Sequence, residues 1–262
     1  MKHIFGITNL GSGSSGNATV IHGPEGNLLL DAGFSAKELT LRMTGAGIDP
    51  ASIRGILISH SHSDHTKGCR VFSQKYDVPV YTTSVTGKCL SRKKLIPEKV
   101  ALFTPGGAFD LCGVNVEPFT VPHDADDTVA FVFRCMDHKI AVATDLGFVN
   151  TLTRAKLTAC DVLMMESNHD TRLLMNSQRT LLLKRRIMGK FGHLSNSDAL
   201  EELPNLLTDR TRCLILGHLS EECNDRELLE ELTLDRLNDM GRRDILFHIA
   251  AQEYFLPTFW AI

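Results

Sequence analysis

The chain has 262 residues, 43% hydrophobic and 23% charged, with a formal charge of -3, an ordinary globular balance with length enough for a sizeable core. That charge gives no global reason to expect nucleic acid or a membrane surface, so any basic patch must be argued residue by residue. The start lacks an apolar signal core, no apolar run reaches the roughly 18–20 residues of a membrane helix, and the seven cysteines never form C-x-x-C; the expectation is a cytoplasmic protein with no membrane partner and no disulfide framework.

In chain order, "HIFGI" and "NATVIHG" read as strands, "GPEGN" as a turn and "NLLLDAG" as a buried strand ending in Asp31. "SAKELTLRMTGAG" reads as a helix, with Ser35 and Glu38 at capping-box spacing and Gly45 or Gly47 to end it. "GILISH" is a buried strand running out at His60, residues 65–75 are helical, and "VPVYTT" is the next strand. From 99 to 145 the pattern is mostly strand: "KVALFT", "VNVEPFTVPH", "TVAFVFRC", "HKIAVATD". Then "DVLMMES" is a strand, 172–188 and 196–206 are helical, "RCLILGH" is a strand, "DRELLEELTLDRLNDM" a helix and "DILFHIA" a final strand. With no linker, repeat or low-complexity tract, this predicts a single α/β domain over 1–262, two mixed sheets inside and helices outside.

"ISHSHSDHTKG" packs His60, His62, Asp64 and His65 into six positions. Elsewhere apolar strands repeatedly run out into a carboxylate or an imidazole: Asp31, His123, Asp145 and His218. One such residue is an ordinary turn or cap. Together they suit a divalent metal, because strand ends are rigid and open to solvent. His60 and His62, two apart, can face one ion, while Asp64 and His65 continue round the turn toward a second. Imidazole and carboxylate donors suit zinc, manganese or iron(II), and no cysteine joins the set, which disfavours a closed structural zinc site. Six or seven ligands suit two ions with positions left for water.

The order Asp31, H-S-H-S-D-H at 60–65, His123, Asp145, His218 resembles the metallo-β-lactamase-fold hydrolases. The resemblance implies a four-layered αββα sandwich with two mixed β-sheets flanked by helices. It assigns His60, His62 and His123 to one metal and Asp64, His65 and His218 to the other, with Asp145 bridging and Asp31 orienting a ligand histidine from behind. His62 is glutamate in flavodiiron relatives, and His65 is changed in most lactamases. That leaves nucleases, phosphodiesterases and thioesterases.

"MMESNHD" and "GHLSNSDAL" supply Glu166 and His193, the residue types for a carboxylate-held proton donor to a leaving alkoxide. "GSGSSGN", "ESNHD", "GHLSN" and "GHLSEECN" add a resemblance to the WalJ/YycJ-like branch, associated with removing nucleotides from the 5′ end of DNA. No large substrate-clamping insert separates Glu166 from His193. The expectation is therefore a dinuclear phosphodiester hydrolase and DNA exonuclease, with a metal-bridging hydroxide as nucleophile and Asp64, Glu166 and His193 as catalytic residues. DNA is expected as partner ahead of RNA. Small-molecule thioesterase, cyclic-phosphate phosphodiesterase and non-catalytic nucleic-acid-binding protein are the alternatives. Ser14, Ser15 and Asn17 of the glycine-rich loop, His169, and the basic run "LLLKRRIMGKFGH", with Lys184 and Arg185 foremost and Arg186 and Lys190 beside them, are the candidate substrate contacts.

Overall fold

The computed structural model describes residues 4–261. Its first sheet contains β1 (Gly6–Gly11), β2 (Ala18–Gly23), β3 (Gly26–Leu30), β4 (Ile53–Leu57), β5 (Val80–Thr83) and β6 (Val100–Phe103) in spatial sequence. The second contains β7 (Phe109–Leu111), β8 (Val114–Thr120), β9 (Val129–Cys135), β10 (His138–Ala143), β11 (Val162–Glu166), β12 (Cys213–Gly217) and β13 (Leu246–Ile249), also in sequence. A last strand, β14 (Phe259–Trp260), returns to pair with β1. Each sheet begins antiparallel and ends parallel, through β3–β6 in one and β10–β13 in the other. In open sheets of this kind ligands bind beyond the carboxyl ends of the parallel strands.

The helices α1 (Ala36–Gly45), α2 (Ser63–Thr66), α3 (Cys69–Tyr76), α4 (Ser84–Arg92), α5 (Thr151–Leu157), α6 (Thr171–Asn176), α7 (Leu181–Ile187), α8 (Asn196–Leu206) and α9 (Arg226–Asp239) complete the chain. Three apolar layers show how they stack. Leu39, Met43, Phe72 and Leu90 pack with Leu29 and Ile56 on the outer face of the first sheet. Ile21, Leu28, Phe131, Phe133 and Met164 fill the space between the sheets. Leu203, Leu206, Leu229 and Leu237 pack with Leu163, Met165 and Leu216 outside the second. The strand period of two makes this possible: along β11, Val162 and Met164 face inward while Leu163 and Met165 face the helices. The result is an αββα sandwich.

The Ser35 Oγ accepts from Glu38 N at 3.2 Å and starts α1 as its spacing predicts, but Glu38 pairs with Arg42 instead of closing the box. The helix expected over 65–75 is broken at Lys67–Gly68, and that expected over 172–188 is broken at 177–180, where Ser177 adopts extended backbone. Helices α4 and α5 and strands β7 and β14 lie where no element was expected: α5, β7 and β14 are short, and α4 is built largely of Ser, Val, Thr and Gly, which are poor helix formers. The strand expected over "HIFGI" begins at His3, outside the described residues, and β1 sits further along the chain.

His22 on β2 is held neutral. Its Nδ1–H donates to Asn27 Oδ1 (3.1 Å) and its Nε2 accepts from Thr8 Oγ1 (2.8 Å). Burial pushes its pKa down to about 4, partly offset by the Asn27 bond. As pH falls, the unfolded chain takes up this proton near its ordinary pKa of about 6.5, before the native state does. Stability is therefore fully present above about 6.5 and is lost toward 4, by up to about 3 kcal/mol at about 1.4 kcal/mol per pH unit. In urea unfolding at a series of pH values, wild type is expected to lose its advantage over His22→Gln across that window. A difference independent of pH would contradict the assignment.

Candidate active site

The carboxyl ends of β3, β4, β10, β11 and β12, and the loop after β8, meet at one edge of the sandwich. They deliver Asp31, His60, Asp145, Glu166, His218 and His123 respectively. Asp31, Asp145 and His218 all take left-handed backbone, with φ of 58° at each. Asp and His tolerate that region better than most residues, and such strain gathers at functional sites. His62 precedes α2, whose single turn carries Asp64 and His65. The loop leading to α1 passes so close to α2 that a Cβ on Gly33 would lie 1.7 Å from the Asp64 carbonyl oxygen, so only glycine fits there.

His60, His62 and His123 form one group whose donor atoms lie within 4.8 Å of one another; Asp64, His65 and His218 form a second; His60, His65 and Asp145 connect the two. Behind most of these rings an acceptor fixes the tautomer. His60 Nδ1 meets Ser59 Oγ (3.0 Å), His123 Nδ1 donates to the Gly192 carbonyl (3.1 Å), and His65 Nδ1 donates to Asp31 Oδ2 (2.7 Å). Asp31 also accepts Ser59 N and Ser59 Oγ, both at 2.8 Å, so one buried carboxylate orients two of the histidines. In the rear of the cluster, Glu166 Oε1 accepts from His193 Nδ1 (2.8 Å) and from His218 Nδ1 (2.7 Å). Its Oε2 accepts from Leu146 N (2.9 Å) and Leu194 N (3.2 Å).

The Nε2 atoms of His60, His123 and His218 and Oδ2 of Asp145 are buried with no hydrogen-bond partner. Each such orphan costs about 1–3 kcal/mol, and four of them aimed into one cluster make no sense as packing. They suit divalent cations, and the all-imidazole and carboxylate donor set agrees. The electrostatics point the same way. Burial and its neighbour His65 hold His60 well below the usual imidazole range, ready to donate a lone pair. Burial opposes protonation of His218, yet Asp145, Asp64 and Glu166 raise it to about 10. Asp145, although fully buried, is held well below the carboxylate range by His218 and His65. The cluster carries negative charge that demands cations, protons or metal.

A cleft of about 240 Å³ opens over the cluster, lined by His62, Asp64, Asp145, His193 and His218, by Ser14, Asn168 and Ser220, and by Arg179 and Arg186. Of the expected substrate contacts, Ser14 reaches it, and so does Arg186 of the basic run. Ser15 is exposed outside the cleft, its backbone N–H on Gln252 Oε1 (2.8 Å). Asn17 is buried beneath the cluster, its amide 3.1 Å from His65 Nε2 and 3.0 Å from the Gly13 carbonyl. His169 is 1% exposed. Lys184 donates to the carbonyls of Met175 (2.7 Å) and Ser177 (2.8 Å), bracing the end of α6, and Arg185 points outside the cleft. Glu166 is fully buried and acts only through the histidines it holds. Ser59, Asp124, Arg179 and Ser220 belong to the site without having been expected there. Asp124 directly follows His123 and was the most findable; the others depend on contacts across the fold.

Residues 26–218 match the Beta-lactamase superfamily domain. The chain is 32% identical over 234 residues to the Bacillus anthracis protein named exodeoxyribonuclease YycJ, covering 88% of this chain and 89% of that one. It is 32% identical over 245 residues to exodeoxyribonuclease WalJ of Streptococcus pneumoniae serotype 2 strain D39, covering 92% and 90%. Among solved structures, the metallo-beta-lactamase fold protein YhfI of Bacillus subtilis superposes with a TM-score of 0.71 at 13% identity, over 96% of this chain and 99% of that one.

Proposed function

The chain belongs to the beta-lactamase superfamily, and we propose that it is a DNA exonuclease acting from the 5′ end. It is a metal-dependent hydrolase, and no helix among the described residues is long and apolar enough to cross a membrane. The observation that carries the phosphodiester reading is the shared carboxylate: Glu166 Oε1 binds His193 on one side and His218 on the other. A hydrolase of a good leaving group needs no such donor. An alkoxide leaving group does.

His60, His62 and His123 would hold one divalent ion and Asp64, His65 and His218 another, with Asp145 facing both sets. Bound there, such ions acidify water and polarise a phosphoryl oxygen. The rest falls to side chains. Although burial opposes it, the Glu166 carboxylate holds the His193 imidazole protonated above its ordinary range. With Nδ1 tied to Glu166, His193 presents Nε2–H on the cleft wall, where it can protonate the departing oxygen. The cleft, at about 240 Å³, is smaller than the roughly 300–1,000 Å³ of sites that engulf a small ligand. That favours a substrate mostly outside the protein, as a polymer end is. The names of the two relatives support DNA as that polymer.

The test uses 3′-labelled DNA with 5′-phosphate or 5′-hydroxyl ends, in manganese and in zinc. Progressive shortening from the 5′ end is expected. Internal cuts or shortening from the 3′ end would sink the polarity. Intact DNA in both metals, with thioester or cyclic phosphodiester turnover instead, would replace the substrate class.

A further inference from the structure

Arg179 and Arg186 line the cleft but take no part in the chemistry above. Arg179 lies in the break between α6 and α7 and is tied by Nε to Glu222 (2.9 Å) and by Nη2 to Ser220 (3.5 Å), on the loop just past His218. Arg186 lies on α7 and is tied by Nε to Asp124 Oδ2 (2.5 Å). The other oxygen of Asp124 is 3.3 Å from His123 Nε2. One guanidinium is therefore anchored on the loop that follows His218 and the other on the residue that follows His123, both lining the same cleft.

These ion pairs are poor candidates for stabilising the fold. The side chains of Arg179 and Arg186 are 26% and 62% exposed, and exposed pairs contribute about 0–1 kcal/mol. What the anchors do is orient. Arg186 is anchored through Nε, and Arg179 through Nε with a long Nη2 contact to Ser220, which leaves further donors of each five-donor planar fork for another partner, and that fork matches phosphate oxygens in a bidentate manner. The surroundings require such help. Asp64, Asp124 and Asp145 line the same cleft, and their charge repels a polyanion wherever no cation compensates it. Neighbouring basic residues do not share the arrangement, since Lys184 is committed to backbone carbonyls and Arg185 lies outside.

We propose that Arg179 and Arg186 form a two-sided clamp that grips the backbone phosphates flanking the scissile one, so that the substrate is a polynucleotide strand engaged on both sides of the cut. The clamp rests on the nuclease reading and specifies how the strand is held.

The experiment titrates a phosphorothioate-linked single-stranded oligonucleotide, which resists cleavage, into the metal-loaded protein over a series of salt concentrations. Arg179→Ala and Arg186→Ala are each expected to weaken binding about equally for any sequence. Each should flatten the slope of log K against log salt by about 0.7. Arg→Lys at either position should keep the slope, because charge is retained, and bind more weakly, because the fork is lost. Arg54→Ala, at the opposite end of β4 from His60, is the charge-matched control and should match wild type. Metal content and melting temperature are measured alongside, and the Lys variants carry the test if an Ala variant misfolds. Unchanged slopes in both Ala variants, with wild type binding normally, would overturn the clamp and leave the nuclease standing. Wild type that binds no oligonucleotide would overturn both.

Discussion

Asp145→Asn is expected to strip metal from the site and to cut hydrolysis at least about 10³-fold, since divalent ions supply several kcal/mol of transition-state stabilisation at about 1.4 kcal/mol per tenfold. Asp145 is 2% exposed, and its Oδ2 lies 3.1 Å from His65 Nε2 with no hydrogen-bond partner. It is the acid in contact with both histidine groups, 3.8 Å from His123 and 3.5 Å from His218 through Oδ1. Asparagine is the informative replacement. The backbone φ of 58° strains an alanine, by about 1–3 kcal/mol, whereas asparagine tolerates the left-handed region. A folded variant that has lost metal isolates the charge. The readouts are metal content by mass spectrometry, melting temperature, and cleavage of the labelled DNA, for which this variant also serves as the contamination control. Full metal content with normal turnover would remove Asp145 from the centre.

His193→Ala should behave differently, losing roughly 10²–10⁴-fold in kcat while keeping its metal. His193 touches the cleft, and His218 retains Glu166 without it. Glu166→Gln separates the two functions of the shared carboxylate. It weakens the grip on both rings at once, so metal affinity should fall about 10–100-fold together with the rate. Loss of metal from His193→Ala, or normal affinity in Glu166→Gln, would contradict this division. The pH profile gives an independent check. The pKa of His193 is raised by Glu166 against the effect of burial, so the proton donor persists to higher pH than a free imidazole would, and wild-type turnover should decline as pH rises above the usual imidazole range. His193→Ala should lack that decline.

The amphipathic and buried periods of the strands were legible because each satisfies a local rule. Apolar residues alternate or run together, and a polar residue follows where the strand leaves the core. That placed Asp31, His60, His123, Asp145 and His218 at strand ends, and in the sandwich those ends meet. The helix break at 177–180 was not legible, since "NSQRT" sits inside a stretch whose overall pattern suits a continuous helix. The break turns Arg179 into the cleft and sends Lys184 back to cap α6, so that Arg179 joins Arg186 there in place of Lys184 and Arg185.

By itself the sequence determined the donor types, their order along the chain, and the alternation of elements that makes an αββα sandwich. These follow from short-range chemistry: what an imidazole or carboxylate can bind, and which residues must leave water. Only the tertiary structure decided the partners. That Glu166 serves two histidines, that Asp31 reaches His60 through Ser59, and that Asp124 links His123 to Arg186 are contacts between residues brought together by strand pairing and turns. The reason is physical. Hydrogen-bond geometry is set to a few tenths of an ångström by how sheets and loops pack, and no periodicity along a single chain carries that information.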